Sequence, residues 1–141
     1  MTSCIFCRIA AGEAPADDVA EDEHTMAFLD ANPLAPGHTL VIPKTHAERL
    51  GDLDPGTARA IMDRLRELAP AIEAAVDADA TTIGFNNGPA AGQEVPHTHG
   101  HVIPRFDGDG GGPIHAVVPR SPDREAGNRE ELAAAIASRL E

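Results

Sequence analysis

The stretch DPGTARAIMDRLRELAPAI, residues 54–72, is the strongest constraint on how this chain folds. Asp54 is an N-cap, and Pro55 follows it where a fixed φ suits the first helical position and a missing N–H costs nothing. Ala58, Ile61, Met62, Leu65, Leu68, Ala69 and Ile72 then recur at three-to-four spacing, the pattern of a helix with one buried face. Pro70 is expected to bend this helix or end its first section. Such a face needs a surface to cover, and the other apolar segments are short and β-like. VAEDEHTMAFLD (19–30) reads as two short strands about a polar turn near Asp22 and Glu23. HTLVIP (38–43) is an apolar run stopped by Pro43, TTIGFNN (81–87) is a further strand, and VPHTHGHVIPR (95–105) contributes another. CIFCRIAAGE is a short helical turn closed at Gly12, IHAVVP a short extended piece, and the tail from 122 to 141 a turn followed by a helix. The expectation is α+β: a mainly antiparallel sheet of about five strands, one long helix and a C-terminal helix. FDGDGGG, 106–112, has little reason to hold a fixed structure without a ligand or partner.

A chain of 141 residues suffices for one domain with a real core, so residues 1–141 are expected to form one. No apolar run is long enough to span a membrane, and MTSCIFCRIAAGE does not read as a signal peptide. Two cysteines near the start are no secreted disulfide framework, so a cytoplasmic protein is expected. There are 23 acidic residues against 11 basic, and Lys44 is the sole lysine. That balance argues against nucleic acid and anionic membranes as partners, while leaving room for a small anionic ligand held by local donors. An acidic, lysine-poor, alanine-rich composition also suits a halophilic host, in which salt screens the excess charge.

In a strand, His97, His99 and His101 line one face, with Thr98, Gly100 and Val102 on the other. Cys4 and Cys7 form a C-x-x-C pair, which is half of a zinc site, a redox pair or incidental. A tetrahedral zinc would take two further ligands from His24, His38, His46, His97, His99, His101 and His115, which leaves at least one triad histidine for chemistry. Spacing does not say which. Such a neutral imidazole is a competent nucleophile if its far nitrogen donates to a fixed acceptor. His24 and His115 read as ordinary surface or satisfied histidines.

Beyond these elements, the segments CIFCRI (4–9), AFLDANPLAPGHTLVIPKTH (27–46) and NNGPAAGQEVPHTHGHVIPR (86–105) together resemble the histidine triad (HIT) superfamily, with the long helix between them in family order. The resemblance is strongest over 4–105. It implies a nucleotide hydrolase or transferase acting at the α-phosphate of a nucleoside 5′-phosphoryl compound, a dinucleoside polyphosphate or a nucleoside phosphoramidate. By the same resemblance, His99 is the nucleophile of a nucleotidyl-histidine intermediate, His101 and His38 contact the phosphate, and Asn86 and Gln93 serve the phosphate end. Asp30 is implied at the ribose hydroxyls and Phe28 beside the nucleoside. Cys4, Cys7, His46 and His97 are implied as ligands of a structural zinc, and the assembly as a homodimer. Glu94 departs from the Ser or Thr common in the family, which admits a catalytically weak nucleotide-binding or scaffold protein of the same fold. Gly100 is expected to free the back face of its strand.

Overall fold

A computed structural model describes residues 3–120 and 127–140. The chain divides into two compact units, Met1–Gly111 and Gly112–Glu141.

The first unit holds the sheet and the long helix. Its elements are α1 (Ile5–Ala10), β1 (Asp18–Glu21), β2 (Thr25–Leu29), β3 (Thr39–Pro43), α2 (Pro55–Val76), β4 (Ala80–Phe85) and β5 (Gly100–Arg105). The five strands lie in the order β1-β2-β3-β5-β4, and every neighbouring pair is antiparallel. The expected α+β architecture is therefore what forms.

Local chemistry explains the elements. The Asp54 carboxylate accepts both the N–H (2.9 Å) and the hydroxyl (2.8 Å) of Thr57, capping α2. α2 runs on through Pro70 to Val76, so the proline does not end it. The helix stops at Asp77, whose φ of 55° is left-handed, with the Ala78 N–H returning to Glu73 O. The β1–β2 turn is closed by Asp22, whose carboxylate accepts the N–H groups of His24 and Thr25, each at 2.8 Å.

The sheet is covered on both faces, and the period of two along each strand sorts its side chains between them. Ala27, Val41 and Val102 face α2 and meet Ile61, Leu65, Leu68 and Ile72. Met26, Phe28, Leu40 and Ile42 face α1 and meet Phe6 and Ile9. β3 is buried along its whole length, which is why it reads as a continuous apolar run. In register, Leu40 lies opposite His101, so His101 shares the α1 face.

Three expectations change in this unit. β5 begins only at Gly100, because Ala47 O takes both the N–H (2.7 Å) and the hydroxyl (3.0 Å) of Thr98, and residues 97–99 leave the ladder. The back face of that strand is not free: a Cβ on Gly100 would lie 3.0 Å from the Phe85 ring and 3.4 Å from Leu65. FDGDGGG is closed on itself, as the Asp109 carboxylate accepts from Arg105 Nε and Nη2 and from the N–H groups of Phe106 and Gly111.

In the second unit, Ile114–Ala116 forms a single 3-10 turn instead of an extended piece, since its N–H groups close on carbonyls three residues back. α3 (Arg129–Ser138) is capped by the Asn128 side chain, which accepts from the Glu131 N–H at 3.1 Å. Of the expected C-terminal segment 122–141, residues 122–126 and 141 lie outside the described residues. Among the described residues no helix is long and apolar enough to cross a membrane.

Candidate active site and metal centre

Two sites adjoin on the α1 face of the sheet, and His97 and His99 join them. The first gathers Cys4, Cys7, His46 and His97, with one ligand atom from each lying within 4.8 Å of every other. α1 brings the cysteines together: Cys4 is its N-cap, accepting the Cys7 N–H on Sγ at 3.4 Å. His97 Nδ1 lies 3.4 Å from Cys4 Sγ, 3.5 Å from Cys7 Sγ and 3.2 Å from His46 Nδ1, and Cys7 Sγ lies 3.2 Å from His46 Nδ1. A tetrahedral zinc with ordinary bond lengths has S···N and N···N edges of about 3.6 and 3.3 Å. The donor set fits that ion in both chemistry and spacing.

The far nitrogen of His97 supports the same fit. Nε2 is 2.9 Å from Pro43 O, a pure acceptor, so Nε2 carries the proton and Nδ1 presents its lone pair to the thiols. Burial pushes the His97 pKa down, against the hydrogen bond to Pro43 that raises it, with His46 and His99 adding to the fall. A neutral ring is the form a metal needs.

The second site is built on a chain of imidazoles whose tautomers are set by their partners. His99 Nδ1 lies 2.7 Å from His97 O, so it donates there and leaves the Nε2 lone pair free. The Leu34 N–H donates to His38 Nδ1 at 3.1 Å, which puts the His38 proton on Nε2. His38 Nε2 is 2.9 Å from His101 Nδ1 and donates to it, with Asp30 Oδ2 at 3.4 Å from the same nitrogen. His101 therefore carries its own proton on Nε2, a buried nitrogen with no partner among the described residues. Burial, reinforced by His99 and His38, pushes the His101 pKa down to about 4. Burial likewise lowers His38, against the opposing pull of Asp30.

Asp30, His38 and His101 also have donor atoms close enough together to suggest a metal. The Leu34 N–H argues otherwise. A metal on His38 Nε2 would force the proton onto Nδ1, into a backbone N–H that already points there. This trio is a hydrogen-bond relay.

A cavity of about 580 Å³ opens onto these rings. Phe6, Ile9, Phe28 and Leu40 give it an apolar wall, and Asp30, Asn86, Glu94, His38, His99 and His101 supply its polar groups. Every residue expected at the substrate lines this cavity except Gln93, whose side chain is turned into the protein. Gln93 Oε1 accepts the Gly88 N–H at 2.7 Å, and Nε2 donates to Glu48 O at 2.7 Å and Val95 O at 3.0 Å. It clamps the 88–95 loop. Four further residues contribute with little or no sequence signal. Phe6 sets its ring edge-on to His97 and His99, with centroids 5.9 and 5.0 Å away, and its position inside C-x-x-C was the available signal. Main-chain groups of Leu34, Pro43 and Ala47 carry no sequence signal at all.

A crystal structure of a HIT family member from Bacillus subtilis is 38% identical, with a TM-score of 0.86 over 99% of each chain. A zinc-bound histidine triad family protein from Mycobacterium smegmatis is 40% identical, with a TM-score of 0.75 over 99% of this chain and 98% of that one. An Arabidopsis thaliana protein named adenylylsulfatase HINT3 is 41% identical over 106 residues, which are 75% of this chain and 54% of that protein. The family model for the HIT domain matches residues 11–108, and the chain belongs to the HIT family.

Proposed function

We propose that this protein is a nucleotide hydrolase that acts at the α-phosphate of a nucleoside 5′-phosphoryl compound through a covalent nucleotidyl-histidine at His99. The observation that carries this reading is the His99 ring itself: its Nδ1–H is held by His97 O, and its ring lines the cavity. The Nε2 lone pair forms a bond to the α-phosphorus. The bond from phosphorus to the leaving group breaks, its electron pair departs with that group, and water supplies the proton. A second water then displaces His99, releasing the nucleoside monophosphate and restoring the free ring.

The His101 Nε2–H, fixed as a donor by the relay from His38, hydrogen-bonds the phosphoryl oxygens as charge builds on them. Asn86 adds a neutral donor. Asp30 takes the ribose hydroxyls and Phe28 borders the nucleoside. Gln93 acts at one remove, by positioning the loop that carries Glu94. Zinc at Cys4, Cys7, His46 and His97 would hold His97, and with it the carbonyl that orients the nucleophile; its chemistry is structural. The zinc-bound mycobacterial relative supports this assignment, and the adenylylsulfatase name of the plant relative supports attack at an adenylyl phosphorus. A reducing, cytoplasmic compartment would keep the Cys4 and Cys7 sulfurs available to the metal. The active form is a homodimer.

The test is to quench the protein with adenosine 5′-phosphoramidate radiolabelled at phosphorus. Label bound to the wild type and absent from His99→Ala is expected; label retained in the variant sinks the assignment. Glu94 at the cavity favours a second reading, a nucleotide binder with little turnover, which would show saturable binding and no adduct.

A further inference from the structure

The proposed reaction gives every ionisable group of the cavity a task except Glu94. Resting on that reading, the charge of the cavity narrows its substrate. Among the described residues, the side chains lining it include two carboxylates, Asp30 and Glu94, and no lysine or arginine. His38 and His101 do not offset them, because burial holds both rings neutral. Asp30 Oδ2 lies 3.4 Å from the protonated Nε2 of the neutral His38 ring. Glu94 is exposed, and among the described residues it has no ion-pair partner. Several basic side chains are committed elsewhere: Lys44 to Glu21, Arg64 to Asp22, Arg66 to Asp63 and Arg105 to Asp109.

Nor is Glu94 a loose rim residue. Its neighbour Gln93 is tied to Gly88, Glu48 and Val95 by three hydrogen bonds, and Val95 packs beside Phe6, Phe28 and Leu40. The backbone that carries the carboxylate is therefore held. Asp30 and Phe28 come from the β2 side of the cavity, whereas Asn86, Gly92 and Glu94 come from the loop between β4 and β5. With the nucleoside on the β2 side, that loop is left to the departing group. A dinucleoside polyphosphate would bring further negative charge against a carboxylate that has no ion-pair partner among the described residues.

We propose that Glu94 selects the leaving group by charge, so that the preferred substrates are nucleoside 5′-phosphoramidates whose departing amine carries a second, cationic group. The P–N bond breaks with its electron pair on nitrogen, which takes a proton from water, while the distant ammonium pairs with Glu94 and leaves unchanged.

The experiment compares adenosine 5′-phosphoramidates of n-butylamine, of 1,4-diaminobutane and of 4-aminobutanoate, which place a neutral, cationic or anionic end at the same reach. For the wild-type protein, kcat/KM is expected to run cationic, neutral, anionic, with about threefold between the first two at low salt. That ratio shrinks as ionic strength rises from about 0.05 to 0.5 M. Glu94→Gln should flatten the series and Glu94→Lys should reverse it. Since leaving-group reactivity is the same for every variant, the change on substitution isolates the charge. An equal kcat/KM for the three substrates, or an ordering that survives in Glu94→Gln, overturns the proposal while leaving the His99 chemistry standing. Absence of both turnover and His99 adduct with all three overturns the hydrolase reading and this proposal with it.

Discussion

The main-chain oxygen of His97 accepts the Nδ1–H of His99 at 2.7 Å, while the ring of the same His97 lies among Cys4, Cys7 and His46. His97 thus meets the candidate metal ligands through its side chain and the ring of His99 through its backbone. Whatever fixes the ring fixes the carbonyl.

Substitution of a ligand should therefore be felt twice. Cys4→Ser and His46→Ala are expected to lower zinc from about one ion per chain to well under half, read by elemental mass spectrometry. The melting temperature should fall as well, since the metal's binding energy contributes to folding. Unchanged zinc in both variants would refute the ligand set.

Acid should destabilise the protein in a defined window. The His101 pKa is about 4 in the fold against 6.5 for an ordinary histidine, and His38 is shifted in the same direction. Between those values the unfolded chain binds protons that the folded chain refuses. The contribution to stability is full above about pH 6.5 and is lost progressively as pH falls toward about 4. Unfolding in urea at a series of pH values should show this slope, and His101→Asn should reduce it by about one proton. Asp22, lowered to about 2, acts only below that window.

Gln93→Leu would leave the Gly88 N–H and the carbonyls of Glu48 and Val95 without their side-chain partner. A loss of about 2–4 kcal/mol is expected in denaturant unfolding. Because the clamped loop carries Glu94 and adjoins Asn86, KM for the amidate substrate should rise too. A wild-type unfolding midpoint in Gln93→Leu would show the clamp to be dispensable.

Gly100→Val places branched carbons where even a Cβ lies 3.0 Å from the Phe85 ring. About 2 kcal/mol of destabilisation is expected, and adding Phe85→Leu should recover part of it, since the two side chains share one space. Additive losses in the double variant would place the strain elsewhere.

What could be read in advance was what neighbours in sequence decide. Asp54 and Pro55 announce α2 because a cap acts within one turn, and Asp22 announces its hairpin for the same reason. Residues 97–99 were assigned to a strand because alternation continues through them, yet Ala47 O, fifty-one positions from Thr98, competes for the same N–H. The resemblance implies Gln93 at the phosphate end, whereas in the fold its Nε2 donates to a carbonyl forty-five positions away, which no local pattern announces. The glycine-rich loop looked shapeless because glycine count says nothing of Asp109, whose carboxylate gathers Arg105 and two backbone N–H groups.

The acceptor that orients His99 is a peptide carbonyl, and every amino acid has one. No exchange of side chain at position 97 can delete it, so a descendant that discarded Cys4, Cys7 and His46 would still hold the oxygen to which the His99 ring donates. The tautomer of His99 is in that sense written into the chain's path, with Cys4, Cys7 and His46 around the His97 ring deciding only how firmly that path is held.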